Sequence, residues 1–350
     1  MSLCDWVLKT PQIINIIMAF ISDLSQQYGL DEAAIRFLLG QISGFPIFLL
    51  YTIFIRKLDL NFHYLYMVLT GVGIAYWSFG LECLFHTVIC IVINLTVLNF
   101  GPWKGTQNTR WCTATFLVLF QFGYLLVGYW NRVKWAEYDA AIDWTTPHCI
   151  LCMRLMAMTM DFYDGNSLYV KLINYILKKI ALYQAIFLNW SLTNRNKSNV
   201  NFLNRYNKDN PERLKKNYNS ITEVPGIFST LAYVFFIGGY FVGPQYSYKH
   251  FNKCLQRNKD EPYDIPLQLV LQKFLLSISL LVLIVVCFSP LSTTYVLETA
   301  EFHTMPYMNR CFHWVCWGHL VIVKYTMVWT LAEGVIILAG IGYNPNAEGT

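Results

Sequence analysis

Along this chain the apolar residues neither alternate nor keep to every third or fourth place. They fill whole stretches, at residues 33–55, 62–79, 83–98, 113–129, 147–163, 224–242, 266–288 and 311–341. A helix needs about 20 such residues to cross the hydrocarbon core of a bilayer. The pattern therefore predicts roughly eight membrane segments by length. Polar residues punctuate the runs. Arg36 lies near one end of the first, and Arg56 and Lys57 lie at its other end. Glu82 separates the second from the third, "YWNRVKW" closes the fourth, and Ser289-Pro290 stops the run 266–288. The expected fold is an all-α polytopic transmembrane helix bundle. It forms a single membrane-embedded domain over residues 1–350, with no internal repeat and no separate soluble domain.

One stretch breaks the pattern. From residue 168 to 207 the chain shifts to Asn, Ile, Lys, Tyr, Leu and Phe. Lys178 and Lys179 fall inside an otherwise apolar run, where two charges would make crossing the bilayer costly. A helix lying in the interface is the better expectation. The polar, basic tract "TNRNKSNVNFLNRYNKDNPERLKKNYNS" that follows reads as loop or disorder.

Composition agrees with a membrane solvent. The chain is 55% hydrophobic and 13% charged, against about 25% charged in soluble domains. Charge near the bilayer centre costs roughly 2.5–3.5 kcal/mol per residue. Aromatics make up 17%, as expected where Trp and Tyr collect at the lipid boundary. The net charge of +5 is small and scattered. It argues against nucleic acid and suits basic loops beside an anionic leaflet. The ten cysteines are not a disulfide scaffold. Cys83, Cys90, Cys112, Cys287, Cys311 and Cys316 sit inside apolar runs, where thiols behave as small hydrophobes.

The candidate chemistry lies in three stretches. In "DWTTPHCILCMRLMAMTMDFYDG", His148 follows Pro147 where a helix would begin. It is either a general base in a polar cavity or a polar residue at a helix mouth, and spacing gives it no carboxylate partner. Cys149-x-x-Cys152 is a lone pair, short of the ligands a zinc site needs, and is expected to be buried thiol. Asp161 and Asp164 are expected to mark a helix end, with Gly165 as terminator. Arg154 interrupts the run itself, so a partner or a function is expected for it. In "GGYFVGPQYSYKHF" a Gly-Pro break forces irregular backbone, tolerated at membrane depth only against protein or a water-filled cavity. The run 317–344 carries His319, Lys324 and Glu333, which either turn toward protein or line a polar cavity.

Those three stretches, "WTTPHCILCMRLMAMTMDFYDG", "YFVGPQYSYKHF" and "VKYTMVWTLAEGVIILAGIGYN", resemble in order the membrane-bound O-acyltransferase family, in its lysophospholipid acyltransferase branch. The resemblance implies a helical bundle around a tunnel in the endoplasmic-reticulum membrane. It also implies transfer of an acyl group from acyl-CoA, as co-substrate, to the free hydroxyl of a lysophospholipid, with no bound cofactor and no metal. The residues expected to line the substrate cavity are Trp144, His148, Arg154, Tyr246, Lys324, Glu333 and Asn344. The family's catalytic Asn and His belong to segments beyond the "GIGYN"-like stretch, so no residue here is expected to be catalytic. Residues 168–207 have no family counterpart and are expected to be an atypical insert, translated from intron. A polytopic transporter and a non-catalytic membrane interaction protein are the alternatives.

Overall fold

A computed structural model describes residues 19–23, 25–26, 31–135, 142–165, 219–260, 265–291 and 300–342. The regular elements among them are all helical. Helix α1 (Glu32–Leu50) continues into a π-helical turn (Tyr51–Ile55) and is followed by α2 (Leu60–Phe100), α3 (Gln107–Trp135) and α4 (Thr145–Gly165). Then come the short α5 (Ile227–Phe235) and α6 (Ile237–Tyr240), α7 (Tyr248–Asp260), α8 (Leu267–Leu291), α9 (Ala300–Thr304) and α10 (Tyr307–Leu338).

The all-α membrane architecture is present. Among the described residues, five helices are long and apolar enough to cross a membrane: Glu32–Ile55, Leu60–Phe100, Gln107–Lys134, Leu267–Val286 and Tyr307–Leu338. The expected runs 62–79 and 83–98 both fall within α2, and the break between them is at Gly80, not Glu82. Gly80 has φ 77° and ψ −173°, a conformation that a residue with a Cβ resists and glycine does not.

Two expected spans are corrected. The run 224–242 does not cross as one helix. It forms α5 and α6, broken at Phe236 (φ −58°, ψ 115°), and the residues from Ala232 to Phe241 are buried. The run 147–163 is helical within α4 but falls outside the five, because α4 interleaves apolar residues with His148, Arg154 and Thr159, all buried. A helix with polar residues turned inward needs protein around it rather than lipid. The stretch 168–207 lies outside the described residues, and so do the interfacial helix and insert expected there.

Packing follows from the sequence pattern. Helix α8 lies along α10, α2 packs on α5, and α3 packs on α4. Phe236, at the break, meets Phe48 of α1 edge-on at 5.0 Å between ring centroids, and Phe241 meets Phe37 at 5.2 Å. The broken segment is thus wrapped in aromatic side chains. The outer faces are apolar and exposed, for instance Leu271, Leu275, Val282 and Val286 on α8, the surface that a bilayer covers.

Candidate functional site

The site is built on the broken helix. Where α5 stops at Phe235, its last carbonyls lose their N–H partners. Arg154, reaching across from α4, supplies replacements. Its Nη1 donates to the carbonyl oxygens of Tyr233 at 2.7 Å and Val234 at 3.4 Å. Its Nη2 donates to the Tyr246 hydroxyl oxygen at 3.0 Å. The guanidinium also lies 5.0 Å from the Tyr233 ring centroid and 4.9 Å from that of Tyr246. Arg154 is only 1% exposed, and among the described residues no carboxylate pairs with it. The negative end of the α5 dipole and two aromatic faces provide the compensating field. Gly239 completes the fit, because a Cβ there would run into Arg154 Nη2. The charge flagged in the sequence therefore has partners, and two of them are backbone carbonyls.

Tyr246 is fixed from several sides. Tyr233 donates its hydroxyl to the Tyr246 carbonyl at 2.7 Å, and the Tyr246 ring stacks on Phe251 at 6.1 Å. Burial pushes the Tyr246 phenol above its ordinary pKa, while Arg154 partly offsets the rise. Tyr246 also lines a cavity of about 670 Å³ together with Met153, His250, Tyr325, Trp329 and Glu333. Size and mixed lining suit a ligand with an aliphatic part and a few polar atoms. Glu333 accepts from Lys273 Nζ on α8 at 2.8 Å. His250 was not singled out from sequence, although it stands four residues after Tyr246 in a flagged stretch. Its Nε2 lies 3.1 Å from the carbonyl oxygen of Ile341 and 3.4 Å from Cys254 Sγ.

The other expected residues do not converge here. Lys324 is exposed on α10 and does not line the cavity. His319 is also exposed, with Nδ1 2.8 Å from the Val315 carbonyl oxygen of its own helix. Asn344 lies outside the described residues. Trp144 and His148 belong to a second cluster. His86 stacks on Trp144 with ring centroids 3.8 Å apart, takes Nδ1 to 2.7 Å from the Tyr124 hydroxyl, and places Nε2 3.7 Å from Glu82 Oε1. His148 is 2% exposed, packs edge-on to Trp144, and sets Nε2 3.6 Å from Cys90 Sγ. No carboxylate reaches it among the described residues, so the geometry supports the helix-mouth role. The signal for His86 was Glu82-x-x-x-His86, an i,i+4 pair on one helix face.

The ends of α4 are pinned. Asp143 Oδ1 accepts from the Thr145 backbone N at 3.0 Å and from its hydroxyl at 2.6 Å, and Arg132 holds Asp143 at 3.3 Å. At the far end the Asp161 carbonyl accepts from Ile221 N at 2.9 Å. Cys149 lies 2.8 Å from the Tyr129 hydroxyl, and Cys152 is buried; both thiols are free. Among the described residues no three His, Cys, Asp or Glu side chains converge as metal ligands would.

A helical membrane bundle with a broken inner helix and a mixed cavity beside it defines a multi-pass membrane protein. The chain belongs to the membrane-bound O-acyltransferase family, matching it over residues 133–349. It is similar to lysophospholipid acyltransferase 5 of Bos taurus, 29% identical over 326 residues, covering 93% of this chain and 57% of the relative. It is similar also to lysophospholipid acyltransferase 5 of Caenorhabditis elegans, 25% identical over 345 residues, with 95% and 60% covered. A lysophospholipid acyltransferase of Saccharomyces cerevisiae is 21% identical over 358 residues, with 94% and 49% covered. The chain thus spans a little over half the length of the Bos taurus relative.

Proposed function

We propose that this chain forms the lipid-binding membrane body of an acyl-CoA-dependent lysophospholipid O-acyltransferase of the endoplasmic reticulum. The observation that carries the proposal is the similarity to lysophospholipid acyltransferase 5 across 93% of this chain. The cavity supports it, since all three flagged stretches meet there, at Met153, Tyr246 and Glu333. In the reaction, the glycerol hydroxyl oxygen of the lysophospholipid attacks the thioester carbonyl carbon. A C–O ester bond forms, the C–S bond breaks, and the hydroxyl proton ends on the CoA sulfur. The chain's part is to hold the lipid with its acyl chain against Met153 and Trp329. No residue of it is assigned the base.

The test uses the purified chain in nanodiscs, with a fluorescent lysophosphatidylcholine. Saturable binding, displaced by unlabelled lysophosphatidylcholine and weakened by Trp329→Ala, is the expected result. Formation of labelled phospholipid from radiolabelled acyl-CoA in the same preparation measures the transfer itself. Absence of saturable binding would contradict the proposal. Lysolipid flux across vesicles without acyl transfer would place the chain among transporters instead.

A further inference from the structure

We propose that the Tyr246 hydroxyl, held by Arg154, donates a hydrogen bond to the acyl carbonyl oxygen of the lipid in the cavity. Arg154 is then a positioning residue and Tyr246 the group that touches the ligand. The inference rests on the lysophospholipid reading above and adds to it the atom that is recognised.

A phenol has one proton to donate and two lone pairs to accept with. Arg154 Nη2 occupies one lone pair at 3.0 Å. Among the described residues the proton has no acceptor, while Tyr233 holds the Tyr246 carbonyl and Phe251 its ring. A charged donor on the phenol oxygen draws electron density from it and makes its O–H the stronger donor. Tyr246 is half-buried and lines the cavity, so a ligand that brings an acceptor to its O–H gains a hydrogen bond there.

The cavity says which acceptor. Its walls at Met153, Trp329 and Ile336 suit an aliphatic chain, while Glu333 sits on the same lining. Glu333 is already engaged by Lys273 Nζ at 2.8 Å, so the phenol proton is the donor left for a neutral carbonyl on the ligand. The sequence spends a glycine on the arrangement, since Gly239 is the residue whose Cβ would displace Arg154 Nη2. Two ligands present this chemistry: the ester of a lysophospholipid and the thioester of acyl-CoA.

The experiment removes the carbonyl from the ligand and the hydroxyl from the protein, separately and together. The full chain in nanodiscs is titrated with an acyl (ester) lysophosphatidylcholine and with its alkyl (ether) analogue, and in a second arm with acyl-CoA and an S-alkyl-CoA thioether. Wild type is expected to favour the carbonyl ligand by about tenfold in one arm, the size of one good hydrogen bond. The arm showing it names the source. Tyr246→Phe should abolish that preference while leaving ether or thioether affinity unchanged. Arg154→Lys should weaken the preference less than Arg154→Gln, and Gly239→Ala should weaken it as well. A merely packing role would lower both ligands of a pair alike and leave the ratio intact. Equal binding of both ligands to wild type in both arms, or a preference that survives Tyr246→Phe, overturns the assignment. Wild type that binds none of the four probes overturns the lysophospholipid reading and this inference together.

Discussion

On α4, Arg154 is 1% exposed and holds two backbone carbonyls and a phenol. On α10, Lys324 is exposed, and among the described residues it has no ion pair or hydrogen bond. Both cations interrupt apolar runs. The inner one is fixed because a broken helix beside it exposes carbonyl groups that a branched, planar donor can satisfy at once. The outer one has a long aliphatic stem that can carry its ammonium along the helix toward water. A charge in an apolar run is therefore structural where irregular backbone faces it, and surface chemistry where the packed helices leave it exposed.

The comparison can be broken most forcefully at Arg154. Arg154→Leu leaves the Tyr233 and Val234 carbonyls buried without a donor. It should cost about 2–5 kcal/mol, from two buried carbonyl groups left unsatisfied at about 1–3 kcal/mol each, read as a large drop in detergent melting temperature. Next comes Gly71 of α2, where a Cβ would strike the carbonyl of Phe235 at the break. Gly71→Ala should cost about 1–3 kcal/mol, typical of overpacking, in the same melt. Glu333→Gln loses the contact with Lys273, whose side chains are 46% and 27% exposed. A partly solvated pair of this kind is worth only about 0.5 kcal/mol. Smallest of all, Lys324→Leu should stay within about 0.5 kcal/mol of wild type. If Lys324→Leu were as damaging as Arg154→Leu, the distinction between the two cations would fail.

Much of this was legible beforehand. The apolar runs announced an all-α membrane bundle, though their lengths predicted roughly eight segments where five helices among the described residues are long and apolar enough to cross, and the Gly-Pro stretch announced irregular backbone near residue 243. Arg154 was flagged as a residue needing a partner. That partner was hidden because backbone carbonyls carry no sequence signature, and they became available only through the break at Phe236, seven residues before Gly243. The run 224–242 looked like a span for a related reason: a buried inner helix and a lipid-facing one are equally apolar. Lys324 and Arg154 could not be told apart, since exposure is a property of the packed bundle. The cluster of His86, Tyr124, Trp144 and His148 was missed as a unit because it joins three helices across more than sixty residues of chain.

The central claim is that Arg154 pins the break between α5 and α6. Amide hydrogen exchange of the full chain in nanodiscs reads this directly, comparing wild type with Arg154→Gln and Lys324→Gln over residues 227–246. The account predicts that Arg154→Gln speeds exchange in this segment by at least about tenfold, the equivalent of one lost charged hydrogen bond. Lys324→Gln should leave it at the wild-type rate. Wild-type protection in Arg154→Gln would show that packing alone holds the broken helix, and would contradict the account.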